Sequence, residues 1–197
     1  MKNKIGSQIK LSNVRLNYFR DSIWVPDKMD EKDSDDKLRY QCDLLIDPGT
    51  NEGRANLSLV RETICEVIEE TWKKDPPRDL PVCLTEGSNK NLTKYPAYKD
   101  LMYVRATSKN KPRIIDNVKM GGEFVDVPRE DRRFYPGVRV NASIRIWPLN
   151  MKQFKKRVVA EIMAIQFHAD DTAIFDSVPN MDLFEEMATD EKMAAFL

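Results

Sequence analysis

From Gly137 to Trp147 the chain alternates between apolar and polar side chains, a period of two that restricts the segment to a β-strand with one buried face. Val138, Val140, Ala142, Ile144 and Ile146 fall on the core side, and Arg139, Asn141, Ser143, Arg145 and Trp147 on the other. The same period over 101–107 puts Met102, Val104 and Ala106 inside and Tyr103, Arg105 and Thr107 outside. Further strands are predicted over 112–116, 123–127 and 157–168, and upstream over 8–19 and 38–46, which are rich in β-formers and bounded by turn residues. Between the two groups, Leu57, Val60, Ile64, Val67, Ile68 and Trp72 recur at three- and four-residue steps, the spacing of an amphipathic helix. Thr50 or Asn51 can cap it, and Asp75, Pro76 and Pro77 stop it.

Residues 80–98 hold too many Gly, Pro and Asn for one regular element and read as a long excursion between strands. The acid-rich stretch 27–36 has almost nothing to bury and reads as a mobile loop. Because strands and helices do not alternate, a doubly wound sheet is disfavoured. The expectation is a mainly β chain: a five-stranded oligonucleotide-binding (OB) barrel with one inserted amphipathic helix, long loops and an acidic C-terminal tail. With 197 residues and 41% hydrophobic content, one core is expected, so the division is a domain over 1–169 and a tail over 170–197.

Charge follows that division. The tail carries eight acids against Lys192 alone, a net charge of −7, and because the whole chain is neutral residues 1–169 carry +7. A basic body with its own acidic appendage points to a polyanion ligand and an internal competitor for it. Residues 99–160 concentrate the excess, with fifteen bases and six acids. The outward faces of the two alternating strands supply Tyr103, Arg105, Arg139, Arg145 and Trp147; around them stand Arg113, Arg132, Arg133, Tyr135, Lys155, Lys156 and Arg157. Guanidinium groups neutralise phosphates and aromatic faces stack on unpaired bases without reading sequence. Each of these side chains also has a plainer reading, as a solubilising cation or a ring covering the end of a barrel.

In the tail, Asp182, Phe184, Glu185, Glu186, Asp190, Glu191 and Phe196 mix carboxylates with rings, so it can imitate the ligand in the groove or contact partner proteins. A short amphipathic helix packed on the barrel is the alternative. Gly121, Gly122, Glu123 and Phe124 spell a cyclic-dinucleotide-synthase signature without its α/β surroundings and read as a turn. The acids at 30–36 lack the glycine and final glutamate of an EF-hand loop. With His168 the single histidine and no phosphate-binding Gly-Lys-Ser/Thr loop, neither a metal, a cofactor nor a catalytic centre is expected. Three widely spaced cysteines, Cys42, Cys65 and Cys83, suit reduced thiols rather than a disulfide framework. No apolar run reaches the roughly 20 residues that span a bilayer, and the N-terminus has no signal-peptide core, so a soluble protein without a membrane partner is expected.

The order of several short stretches resembles the OB-fold single-stranded DNA-binding proteins of tailed-phage replication modules, a group long catalogued as a domain of unknown function. The stretches are Val14 to Phe19, Leu38 to Pro48, Arg105 to Ser108 with Lys111 to Asp116, Phe134 to Gly137, Val140 to Ala142, and Ala164 to Phe167. The resemblance implies cooperative, sequence-independent coating of single-stranded DNA in the infected cell's cytoplasm during replication or recombination. It also implies tail contacts with phage or host replication proteins, and either a homo-oligomer or a cooperative assembly on DNA is expected. Bacterial counterparts end on an aromatic residue, whereas here Phe196 is penultimate. Two other functions compete: a metal-dependent phage nuclease or resolvase using Asp116, Glu123 and Asp126, and a structural virion component.

Overall fold

The computed structural model describes residues 6–18, 20–28, 37–73, 75–150 and 155–174. Eight strands and one long helix follow in the order β1 (Ser7–Asn17), β2 (Tyr40–Ile46), α1 (Asn51–Trp72), β3 (Leu84–Glu86), β4 (Met102–Ser108), β5 (Arg113–Met120), β6 (Glu123–Asp126), β7 (Arg139–Leu149) and β8 (Arg157–Ala169). They form one sheet in the order β3-β4-β2-β1-β7-β8-β5-β6, with a further β4 to β8 pairing. Five strands therefore pair in a cycle, β1-β2-β4-β8-β7 and back to β1. Every step is antiparallel except the parallel contact of β4 with β8 at Ala106 and Ala160.

The alternating residues of β7 behave as their period requires: Val140, Ala142, Ile144 and Ile146 are fully buried, together with Leu11, Val14 and Leu16 of β1 and Leu44 and Ile46 of β2. Helix α1 closes this core with Leu57, Val60, Ile64, Val67 and Trp72. Thr50 is its cap, accepting the Gly53 N–H at 2.9 Å, which satisfies one of the open donors of the first turn. The buried Asn56 ties the helix to β1, donating to the Ser12 carbonyl at 2.7 Å and accepting the Ser12 N–H at 3.1 Å where β1 bulges between Leu11 and Val14. Cys42, Cys65 and Cys83 are free thiols.

The excursion at 80–98 holds one element the periodicity does not reveal, the three-residue β3, which pairs with β4 from Leu84 opposite Val104 to Glu86 opposite Met102. The remainder folds back over the outer side of β4 through short 3-10 turns at Gly87–Asn89 and Pro96–Tyr98. Strand β5 runs past its expected end at 116 to Met120, and Gly121 and Gly122 form the turn into β6. His168 is exposed on β8. The acids at 30–36 and the whole set Asp182, Phe184, Glu185, Glu186, Asp190, Glu191 and Phe196 lie outside the described residues. Among the described residues no helix is long and apolar enough to cross a membrane.

Candidate nucleic-acid interface

Register places a row of polar side chains across the outer side of β4, β2, β1 and β7. Arg105 pairs with Asp43 and Asp43 with Asn17, while Arg15, two residues back on the same face of β1, pairs with Leu45 and Arg139. At about 4.8 Å between neighbouring strands, the row spans roughly 15 Å.

Asp43 organises one end of it. Arg105 donates to it through Nε at 2.8 Å and Nη2 at 2.9 Å, Tyr98 through its hydroxyl at 2.7 Å, and the Lys90 ammonium lies 3.3 Å away. Asn17 in turn donates to the Tyr98 hydroxyl at 3.0 Å. Burial alone raises the Asp43 carboxyl, but the hydrogen bonds and charge of Arg105, the charge of Lys90 and the Tyr98 hydroxyl outweigh it, and the group sits below the usual carboxylate range. The carboxylate is 7% exposed while Arg105 is 47% exposed, so the anion is enclosed and the guanidinium keeps an open side. The Lys90 ammonium also stands over rings, 4.8 Å from the centre of Tyr98 and 5.1 Å from that of Tyr103.

Tyr103 corrects an expectation. It points outward on β4 as its period requires, but it is only 7% exposed. Tyr98, carried back over β4 by the excursion, meets it edge to face with ring centres 5.2 Å apart. Tyr103 is the floor of an aromatic cluster with Leu45 and Tyr98 rather than an open stacking platform.

At the other end of the row the chain's own residues 170–174 lie on the arginines. The Asp171 carboxylate takes Arg139 Nε at 2.5 Å and has Arg15 Nε at 3.4 Å, and Arg15 donates to the Thr172 carbonyl at 2.7 Å. Tyr135 exchanges hydrogen bonds with the Asp171 backbone at 2.8 and 3.0 Å, the Ile174 N–H donates to the Pro136 carbonyl at 2.7 Å, and Ile174 packs on the aromatic cluster. Gly137 permits this approach, since a Cβ at its φ of +110° would meet the Thr172 carbonyl at 2.3 Å. Although burial opposes it, the Thr172 N–H, Arg139 and Arg15 together hold the Asp171 carboxyl below its ordinary value.

The other expected site residues do not join this row. Arg113 pairs with Asp126 at 2.7 Å, and Arg133 pairs with Asp116 at 2.8 Å and Asp131 at 2.7 Å while its guanidinium stands over the Phe167 ring; both belong to the β5 side, and Arg132 beside them is exposed. Arg145 is ion-paired with Glu161 and half-buried. Six residues along β7 separate it from Arg139, about 20 Å. Trp147 is half-buried, and Lys155, Lys156 and Arg157 are exposed at that same β7 to β8 end. Of the expected set, Tyr103, Arg105, Tyr135 and Arg139 are therefore brought together. Sequence reasoning missed Arg15, Asp43, Lys90 and Tyr98. Arg15 was within reach, because the apolar Val14 and Leu16 around it mark it as outward.

A mainly β body whose outer face carries a row of arginines has the chemistry of a protein that accommodates a phosphate backbone. The sequence model of the family described as "Enterobacter phage Enc34, ssDNA-binding protein" matches residues 7–194, and the chain belongs to this family of phage single-stranded DNA-binding proteins. A relative named "Putative protein p50", from Acyrthosiphon pisum secondary endosymbiont phage 1, is 26% identical over 203 residues, covering 95% of this chain and 99% of that protein. Among solved structures, the single-stranded DNA-binding protein from bacteriophage Enc34 in complex with ssDNA is similar at a TM-score of 0.66 and 22% identity, over 88% of this chain and 95% of that one. A second structure of the bacteriophage Enc34 protein gives a TM-score of 0.62 at 21% identity, over 93% of this chain and 95% of the other.

Proposed function

We propose that this protein coats single-stranded DNA without reading its sequence, during phage DNA replication or recombination in the host cytoplasm, and does so without turnover. The five-strand pairing cycle with its one parallel step has the connectivity of an OB barrel, and in such barrels the outer face of the early strands is the ligand face. The strand of DNA crosses β4, β2, β1 and β7 along Arg105, Arg15 and Arg139, with Lys90 at its rim. The observation that carries this reading is the position of residues 170–174. The Asp171 carboxylate and the Thr172 carbonyl, from the start of the acidic tail, already occupy Arg15 and Arg139, as a phosphate chain would. The tail, including Asp182, Phe184, Glu185, Glu186, Asp190, Glu191 and Phe196, then competes for the groove and becomes available to replication proteins when DNA displaces it. Arg113, Arg132, Arg133 and the Lys155 to Arg157 cluster extend the positive field rather than line the central path.

The nuclease alternative requires Asp116, Glu123 and Asp126 to share a metal, but Asp116 is held by Arg133 and Asp126 by Arg113. Among the described residues no group of three His, Cys, Asp or Glu side chains is arranged to hold a metal ion. Labelled single strands incubated with and without magnesium decide between the two. A mobility shift with intact DNA in both lanes supports coating, and magnesium-dependent cutting would transfer the assignment to the nuclease.

A further inference from the structure

The two most exposed large apolar side chains among the described residues stand together at the β5 to β6 turn: Met120 is 72% exposed and Val118 52%. The turn is bare, with nothing within 4 Å of where a side chain at Gly121 or Gly122 would begin. Glu123, opposite Met120 across the β5 to β6 pairing, shares their face, while Lys119 turns to the other face with its ammonium 4.7 Å from the centre of the Phe124 ring. Elsewhere on the surface, α1 and β3 enclose a groove of about 380 Å³ whose apolar lining is Ile64, Cys65, Val82, Leu84 and Met102, with Arg61 and Glu86 also on its walls. Tip and groove are matched in kind. Each is apolar at its centre, and the tip's anion Glu123 has a counterpart in the groove's cation Arg61.

They cannot meet within one molecule. Strands β4 and β8 run parallel through Ala106 and Ala160; β3 flanks β4 at Met102 to Val104, whereas β5 flanks β8 from Ala164 onward and continues in the same direction to Met120. Tip and groove are thus some fifteen strand positions apart, on the order of 40–50 Å along the strands at about 3.3 Å per residue. A contact between unlike surfaces at opposite ends of a molecule does not close on itself but propagates as an open chain.

We propose that the β5 to β6 tip of one copy seats Met120 and Val118 in the α1 to β3 groove of the next, with Glu123 toward Arg61. The contact joins copies head to tail along one DNA strand. It rests on the single-stranded DNA reading, since a contact this small needs the shared strand to raise the local concentration of its two halves.

The test uses the full-length protein carrying Met120→Cys. Cys65, exposed in the groove, is the natural acceptor, while Cys42 and Cys83 are buried and do not compete. Mild oxidation on a long single strand is expected to give a ladder of disulfide-linked dimers, trimers and longer species on a non-reducing gel, abolished by adding Cys65→Ser. Absence of cross-links, or products that survive Cys65→Ser and stop at the dimer, would overturn the contact, the latter in favour of a tip-to-tip pair. In parallel, Met120→Asp should leave affinity for an oligonucleotide long enough for one copy unchanged while lowering cooperativity on a long strand about ten-fold. Unchanged cooperativity would overturn the contact. Failure of the unaltered protein to bind the short oligonucleotide would overturn the DNA reading itself.

Discussion

Asp43 is enclosed by groups that need it charged. Arg105, Lys90 and Tyr98 converge on one carboxylate, and its pKa lies below the carboxylate range because these partners outweigh the opposing effect of burial. A group whose folded pKa is depressed stabilises the fold fully above its unfolded pKa of about 3.9 and ceases to do so as pH falls through the folded value. The urea midpoint of the parent protein should therefore fall steadily on acidification below about pH 4, and that of Asp43→Asn should fall less steeply over the same window. Removing the carboxylate altogether with Asp43→Ala should cost about 2 kcal/mol in urea unfolding. This is below the 3–5 kcal/mol expected of a fully buried pair, because Arg105 is half open to water. The arginines themselves separate by exposure. Arg105→Ala should weaken single-stranded DNA binding and make the log-log salt slope about 0.7 less negative, the effect of one lost phosphate contact. Arg145→Ala breaks the ion pair with Glu161 and should lower stability while leaving that slope unchanged.

At the level of elements, what the sequence revealed is what a buried face enforces. Shifting β7 by one residue would expose Val140, Ala142, Ile144 and Ile146 together, so its period is strict and its strand is readable from one segment alone. The same holds for α1, whose start follows from Thr50, and Thr50→Ala should lower its stability by about 1 kcal/mol in thermal unfolding. Gly53 behaves against helix propensity: its Cβ would lie 1.8 Å from the Asp47 carbonyl, so Gly53→Ala should lower the melting temperature although alanine is the better helix former. What was not legible depends on distant segments. Strand β3 is three residues long and has no period to read. The cover over Tyr103 comes from Tyr98 in an excursion without regular pattern, and Arg105 finds Asp43 from 62 residues away. The arginines were visible as outward cations; the carboxylates that claim them were not, since the pairing of Arg139 with Asp171 or Arg113 with Asp126 exists only once the strands have taken their register.

For the whole molecule the decisive quantity is a balance of charge between two parts of one chain. Residues 1–169 carry +7 and residues 170–197 carry −7, and the ion pairs described between them, Asp171 with Arg15 and Arg139, fall on the row that crosses four strands. A tethered anion is present at a fixed effective concentration, whereas DNA competes at its bulk concentration, so under the proposed competition the tail would lower apparent affinity without altering the groove. Deleting residues from 176 onward removes six of the eight tail acids but keeps Asp170, Asp171 and the segment packed on Gly137. The shortened protein should bind single-stranded oligonucleotides more tightly, with the gain largest at low salt, where charges separated by more than a few ångströms still act on one another. In a salt titration roughly four to six phosphate contacts correspond to a slope of about −3 to −4. Full-length and shortened proteins should converge as salt rises, because the tail is screened along with the DNA. Weaker or unchanged binding by the shortened protein at low salt would mean that the acids are not competing for the row.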